Sequence, residues 1–250
     1  MNFKPLIIAH RGFSGLYPEN TVKSVAEAIN IGADLIEFDL QLTKDNEVVV
    51  FHDRTVERII KSEKNKSIAD FTLDELKKKD FGSWFNSTFS NVQIATLRDI
   101  MEVKISSKNK FDFIIEIKGL DPEELIPRVK NIIDEYNYTF TKGYLSVRDE
   151  IAFEIARKNN FQNKYIGLMQ KKRTPVESMD LAKELNAGAL QLRPKNWNDE
   201  DWLNLQKSNL RYTIFYADTV EDFKKYIEKN PYGIFTNFPN KLKDFLAKNN

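Results

Sequence analysis

The chain predicts a (β/α)8 barrel of the TIM type within the α/β class. Short apolar runs rich in β-branched and aromatic residues recur from end to end. Amphipathic stretches at helical spacing separate them. The first strand–helix turn, Arg11-Gly12-Phe13-Ser14-Gly15, lacks the GxGxxG spacing often seen in the open, doubly wound sheet that is the alternative architecture.

The strand runs are 6–10, 35–40, 113–117, 143–147, 165–169, 189–192, 212–215 and 233–236. The first helical pattern, 21–31, places Val22, Val25, Ala26 and Ile29 on one face behind Asn20-Thr21, which supplies N-cap chemistry. The next, 122–136, does the same with Leu125, Val129, Ile132 and Ile133. Further patterns cover 149–159, 176–185, 199–208, 220–229 and 240–248. Two segments break the alternation. Residues 47–52 form a ninth strand-like run, separated from the second strand only by Lys44-Asp45-Asn46. That is too short for a parallel crossover, so the run must fold back as a hairpin with Asp45-Asn46 at its tip. Centring the turn there pairs residues whose numbers sum to about 91, which sets position 39 opposite position 52. The second segment, 53–89, is charged and holds one helix signal at 72–76. Its few apolar residues argue for an insertion on a single domain spanning 1–250 rather than a separate domain.

The formal net charge is +1, so no strong field points to nucleic acid or an acidic membrane as a partner. Lys77-Lys78-Lys79 and Lys171-Lys172-Arg173 read as solvated helix ends and loops, because acidic residues interleave with them. There is no cysteine, which excludes disulfides, thiolate metal sites and thiol nucleophiles. The N-terminal apolar run is too short for a signal peptide and no window is long and apolar enough for a membrane span. The expectation is a cytoplasmic protein, monomer or homodimer, without stable membrane insertion.

Both histidines of the chain, His10 and His52, end apolar strand runs. In a barrel the C-terminal strand ends face the active site, and two imidazoles can serve one reaction as base and acid. A lone histidine at a strand end is more often structural; two such placements make the functional reading stronger. Glu37 and Asp39 stand two apart on a strand and share a side, as do Glu116 and Lys118. Three carboxylates without cysteine suit a hard divalent cation, Mg²⁺ or Ca²⁺. A Glu–Lys ion pair within polar barrel layers is the competing reading. The hairpin returns His52 to the acidic pair, and Arg11 and Lys118 add positive charge suited to an anion, most simply a phosphate. Either cation could instead pair with nearby carboxylates.

His10-Arg11-Gly12, Pro18-Glu19-Asn20-Thr21, Glu37-Phe38-Asp39, Leu42-Thr43-Lys44-Asp45 and Val49-Val50-Phe51-His52-Asp53 together resemble the glycerophosphodiester phosphodiesterase family, within the phospholipase-C-like TIM-barrel superfamily. Phe81-Gly82-Ser83-Trp84-Phe85, Glu116-Ile117-Lys118 and Thr236-Asn237-Phe238-Pro239 extend the resemblance along nearly the whole chain. It implies a TIM-type barrel with a small insertion, hydrolysing small-molecule glycerophosphodiesters to an alcohol and glycerol 3-phosphate. It also implies a metal on Glu37, Asp39 and Glu116, His10 and His52 as the acid/base pair, and Arg11 and Lys118 on the phosphate. Glu19 is expected to support metal or substrate, and Asn20 to act largely as a helix cap. Three departures stand out: Phe215-Tyr216-Ala217-Asp218 for Trp-Thr-Val-Asn, Ala95-Thr96-Leu97-Arg98-Asp99 for Pro-Thr-Leu-Glu-Glu, and Asn237 for the usual Asp. None falls on a residue read as catalytic or metal-binding, so they leave activity in place and put the alcohol side in doubt. Phe215 and Trp197 are candidates for that wall; for Trp197 a packing anchor for the sixth helix is the equal alternative. Other readings are a lysophospholipase D or sphingomyelinase-D-like activity on lipids, and a non-catalytic phosphodiester-binding barrel.

Overall fold

The computed structural model describes residues 4–119, 121–170, 172–195 and 197–249; Lys171 of the basic run lies outside them. Nine strands are present among the described residues: β1 Leu6–His10, β2 Leu35–Leu42, β3 Val48–Val50, β4 Asp112–Ile117, β5 Tyr144–Val147, β6 Ile166–Met169, β7 Ala189–Leu192, β8 Tyr212–Ile214 and β9 Gly233–Thr236. All but β3 pair in parallel in chain order, and β9 pairs with β1 to close the barrel. The helices that follow those eight strands are α1 Val22–Asn30, α3 Leu97–Ser106, α4 Pro122–Glu135, α5 Glu150–Lys158, α6 Pro175–Glu184, α7 Asp199–Lys207, α8 Val220–Ile227 and α9 Pro239–Lys248. The short α2, Leu73–Lys77, belongs to the insertion. The (β/α)8 expectation therefore stands. Among the described residues no helix is long and apolar enough to cross a membrane.

Strand alternation divides the core in two. Ile36, Phe38 and Leu40 of β2 and Ile115 and Ile117 of β4 face outward into the large cluster beneath the helices. Inside the barrel, Ile8, Leu35, Ile114, Tyr144, Ala189 and Phe235 form an apolar plug. Two residues further along, the same inward face turns polar: His10 on β1, Glu37 and Asp39 on β2, Glu116 on β4. The register sets His10 beside Glu37 and Asp39 beside Glu116. A dry floor and a charged mouth thus follow from one period-2 pattern.

α3 was not among the expected helices. Thr96 caps it, accepting from the Asp99 amide while the Asp99 carboxylate accepts from the Thr96 amide. That Thr-x-x-Asp box is a start signal carried by sequence.

The hairpin forms, but one residue out of the expected register. Leu40 pairs with Val50, Gln41 with Val49 and Leu42 with Val48. The Phe51 amide donates to the Asp39 carbonyl at 2.9 Å, so position 39 meets Phe51 and His52 lies one residue beyond. The tip geometry decides this: Asn46 takes φ 63°, and its amide closes the turn onto the Thr43 carbonyl. Val48 and Val50 face the barrel's outer core, while Val49 and Phe51 face the other way. On that second face the insertion builds its own apolar cluster with Val56, Ile59, Ile68, Phe71, Leu76, Phe81 and Ile94, more than its composition promised. The chain rejoins the barrel where the Val50 amide meets the Ala95 carbonyl.

At the barrel's opposite end Asp112 opens β4. Its buried carboxylate accepts from the amides of Thr141 (2.6 Å), Lys142 (2.7 Å) and Gly143 (2.9 Å), and from the Tyr138 hydroxyl. Gly143 is required here, since a Cβ would fall 1.8 Å from the Phe113 carbonyl oxygen. Burial alone would push the carboxyl up; the Gly143, Tyr138, Lys142 and Thr141 donors outweigh it and hold it below the ordinary 3.8. Because the folded-state value is depressed, this stabilisation is full above the ordinary value and is lost as pH falls through the lowered one. Asp112→Ala should lower unfolding free energy by about 3 kcal/mol, because it strands several buried donors. Urea unfolding at neutral pH checks the size, and repetition at pH values below the ordinary 3.8 should show the gap narrowing.

Candidate active site

The first strand–helix loop is built to bring its backbone against β2. Arg11 and Gly12 take φ of 56° and 75°, and a Cβ at Gly12 would meet the Ser24 backbone within 2.7 Å. The turn lets the Arg11 amide donate to Glu37 Oε2 at 2.9 Å. The Arg11 guanidinium reaches Glu19 Oε1 at 2.7 Å and Asp39 Oδ2 at 3.4 Å, and those carboxylates raise its pKa against burial. Asn20, also in the left-handed region at φ 58°, is no cap: its side chain donates to Asp39 Oδ2 at 2.8 Å and accepts from the Asp39 amide. Thr21 caps α1 instead, accepting from the Ser24 amide.

Glu37, Asp39 and Glu116 are 0%, 1% and 2% exposed, and one oxygen from each lies within 4.8 Å of the others. Glu37 Oε1 and Asp39 Oδ1 make no hydrogen bond. Such oxygens are costly in a dry site unless a cation meets them, so an all-oxygen divalent site fits this donor set. Burial, then the charges of Asp39 and Glu116, push the Glu37 carboxyl well up. Burial likewise raises Glu116. Burial also acts to raise Asp39, but Lys118, Arg11 and His52 outweigh it and bring it down to about 2. Lys118 Nζ touches Glu116 Oε1 and stands 3.5 Å from Asp39 Oδ1. Its pKa is raised because those carboxylates overcome its own burial.

The two histidines differ in setting. His10 is 6% exposed, with Nε2 3.9 Å from Glu37 Oε2 and Nδ1 2.8 Å from Asn237 Oδ1. Burial, then the Arg11 cation, lower its pKa to about 3 despite Asp39 and Asn237. The Asn237 amide is oriented on both ends. Its Nδ2 donates to Asp218 Oδ2 at 2.6 Å, and its Oδ1 also accepts from the Ser14 hydroxyl at 2.9 Å. An oxygen facing His10 assigns the ring hydrogen of the neutral imidazole to Nδ1 and leaves the Nε2 lone pair towards Glu37. Phe215 meets the His10 ring edge-on at 4.8 Å, and Tyr216 stacks on it at 5.8 Å. His52 is more open, at 28% side-chain exposure, and its Nδ1 lies 2.7 Å from Asp53 Oδ1. Arg58 binds Asp53 at 2.5 Å and Glu19 at 2.7 Å while lying over the Trp84 ring. Glu19 is therefore a bridge between Arg11 and an arginine of the insertion.

The structure brings together His10, Arg11, Glu19, Glu37, Asp39, Glu116 and Lys118 in linked contacts, with Phe215 against His10. Trp197 packs on Trp202 of α7 at 4.9 Å, as an anchor would. The departures are not remote from the chemistry, since Asn237 bonds His10 directly and Asp218 holds Asn237. Asn237, Asp218, Asp53, Arg58 and Tyr216 were missed as site residues. Asp53 had a signal in its adjacency to His52, and Asn237 in its place at the end of β9.

Comparison with known proteins agrees with this architecture. The model of the glycerophosphoryl diester phosphodiesterase family matches residues 10–241. A glycerophosphodiester phosphodiesterase of Caldanaerobacter subterraneus subsp. tengcongensis is 33% identical over 98% of this chain and 99% of its own length. Among solved structures, an Oleispira antarctica phosphodiesterase in complex with the product sn-glycerol-3-phosphate superposes with a TM-score of 0.84 at 22% identity, covering 98% of each chain. A Parabacteroides distasonis glycerophosphodiester phosphodiesterase gives 0.80 at 22% identity, covering 100% of this chain and 99% of that one. At such identities the structural matches speak for the fold, while the sequence matches run nearly end to end. This chain belongs to the glycerophosphoryl diester phosphodiesterase family.

Proposed function

We propose that this enzyme hydrolyses glycerophosphodiesters to an alcohol and sn-glycerol 3-phosphate, using one divalent cation on Glu37, Asp39 and Glu116 and a His10/His52 pair. The observation that carries the reading is the gathering of three buried carboxylates and two differently partnered histidines at one barrel mouth, in a chain of this family. Bound Mg²⁺ or Ca²⁺ would polarise the phosphoryl group and acidify the attacking hydroxyl. Arg11 and Lys118 are held in place by carboxylates and would neutralise the remaining phosphoryl oxygens as charge develops. His10 is the base: its Nδ1 hydrogen is held by Asn237, so the Nε2 lone pair takes the nucleophile's proton. His52 is the acid: Asp53 holds its Nδ1 and so orients the ring, whose other nitrogen gives a proton to the leaving alkoxide. An oxygen–phosphorus bond forms as the phosphorus–alcohol oxygen bond breaks. The nucleophile is either water or the substrate's own glycerol hydroxyl, and trapping a cyclic phosphate in a single turnover distinguishes them.

Charge favours glycerophosphodiesters over lysophospholipids. A cavity of about 1080 Å³ opens beside His52 and Lys118, and of its wall residues only Leu42, Ala69 and Leu125 are aliphatic. The test is a coupled assay for released glycerol 3-phosphate across several glycerophosphodiesters and one lysophospholipid. Release from the diesters at least about tenfold faster in kcat/KM is expected; preference for the lysophospholipid would overturn the reading.

A further inference from the structure

The cavity beside His52 carries a charge pattern that the hydrolytic chemistry does not use. Its charged wall residues are Arg54, Lys118 and Arg148, with Asp53 and Asp121. Lys118 is taken up by Glu116 and Asp39, and Asp53 by His52 and Arg58. Asp121 caps α4, accepting from the Glu124 amide. This leaves the two guanidinium groups of Arg54 and Arg148, which have no hydrogen bond or ion pair among the described residues. Arg148 is half-buried and Arg54 exposed, so one is set into the wall and the other at the rim. On the other flank of the site, Phe215 and Tyr216 close over His10. The leaving alcohol therefore has its room on the side of His52, which delivers its proton under the proposed mechanism.

We infer that this cavity holds the alcohol half of the substrate and that Arg54 and Arg148 select an alcohol bearing its own phosphate. This rests on the phosphodiesterase reading and adds a specificity to it. Guanidinium groups bind phosphate oxygens through paired, charge-assisted hydrogen bonds, and two arginines lining one cavity disfavour a cationic alcohol. About 1080 Å³ is ample for a phosphorylated sugar alcohol.

The experiment compares kcat/KM for glycerol 3-phosphate release from glycerophosphoinositol 4-phosphate, glycerophosphoinositol and glycerophosphocholine. The phosphorylated substrate should be favoured over glycerophosphoinositol by about tenfold, chiefly through KM, and the advantage should shrink with added salt. In the Arg54→Gln, Arg148→Gln double variant the advantage should fall to within about twofold, while the circular-dichroism spectrum and melting midpoint, which report correct folding, stay as in the parent. Arg148→Glu should move preference towards glycerophosphocholine. An advantage that survives the double variant, or equal rates on all three substrates with glycerol 3-phosphate released, overturns the selectivity alone. No release from any of the three overturns the phosphodiesterase reading and this inference with it.

Discussion

His10→Ala should lower kcat on glycerophosphodiesters by about 10²–10⁴-fold, with metal present and the fold retained. The ring does two things that alanine cannot. It offers a lone pair at Nε2 beside Glu37, and it is oriented to do so by Asn237. Burial keeps it neutral, so this acceptor is present at every pH where the protein would work. His52→Ala should lower kcat by a similar factor, since the leaving alkoxide would then depart without its proton. The two variants should part company on a substrate with a good leaving group. With p-nitrophenyl glycerophosphate no general acid is needed, so His52→Ala should recover most of its rate while His10→Ala does not. Equal recovery by both would remove the assignment of base and acid, and near-normal turnover by either on ordinary substrates would remove the pair altogether. Asn237→Ala and Asp218→Asn probe the same unit from behind. Both should cost about tenfold in kcat with little change in KM, because orientation and tautomer are disturbed while the ring remains.

What the sequence made legible here was what period-2 alternation encodes. Glu37 and Asp39, or Glu116 and Lys118, share a side whatever the rest of the chain does, so their meeting at the mouth needed only the barrel. His10 at the end of its strand is the same kind of fact. The hairpin was legible as a hairpin but not in register. One residue decides whether His52 or Phe51 faces Asp39, and that depends on the left-handed Asn46, a property of the turn's conformation rather than of the alternation. The support of His10 was hidden for another reason: Asn237 is 227 positions away and arrives only because β9 closes the barrel onto β1. Arg58 illustrates the limit from the insertion. A charged residue in a charged segment carries no mark, yet its position over Trp84 aims it at Glu19 and Asp53. Asn20 was read as a cap from its type and place, but its left-handed backbone turns the amide onto Asp39. Trp197 had two readings that composition could not separate, and contact with Trp202 favours packing.

Glu37→Gln should reduce kcat by about 10³-fold or more, and should do so while making the metal-free protein more stable. The first effect follows from losing a donor to a cation whose electrostatic help is worth several kcal/mol. The second follows from the site itself. Three carboxylates crowd within 4.8 Å in a dry pocket, and burial with mutual repulsion already pushes Glu37 well above the ordinary carboxylate range. A neutral amide of the same shape is spared the cost of burying a titrating acid there. Melting curves separate the effects without any turnover. In chelator the variant should melt higher than the parent. Added Ca²⁺ or Mg²⁺ should raise the parent's midpoint through binding to the folded state alone, and should leave the variant nearly where it was. Because Glu37 and Glu116 have raised pKa values, protons compete with the cation for this site. Apparent affinity should therefore fall as pH is lowered, and calorimetry in two buffers of different ionisation enthalpy should register proton release for the parent and less for the variant. If chelator changes neither turnover nor melting of the parent, the three carboxylates and Lys118 are a buried ion-pair cluster with no metal, and the charge at the barrel mouth is balanced by Lys118 and Arg11 alone.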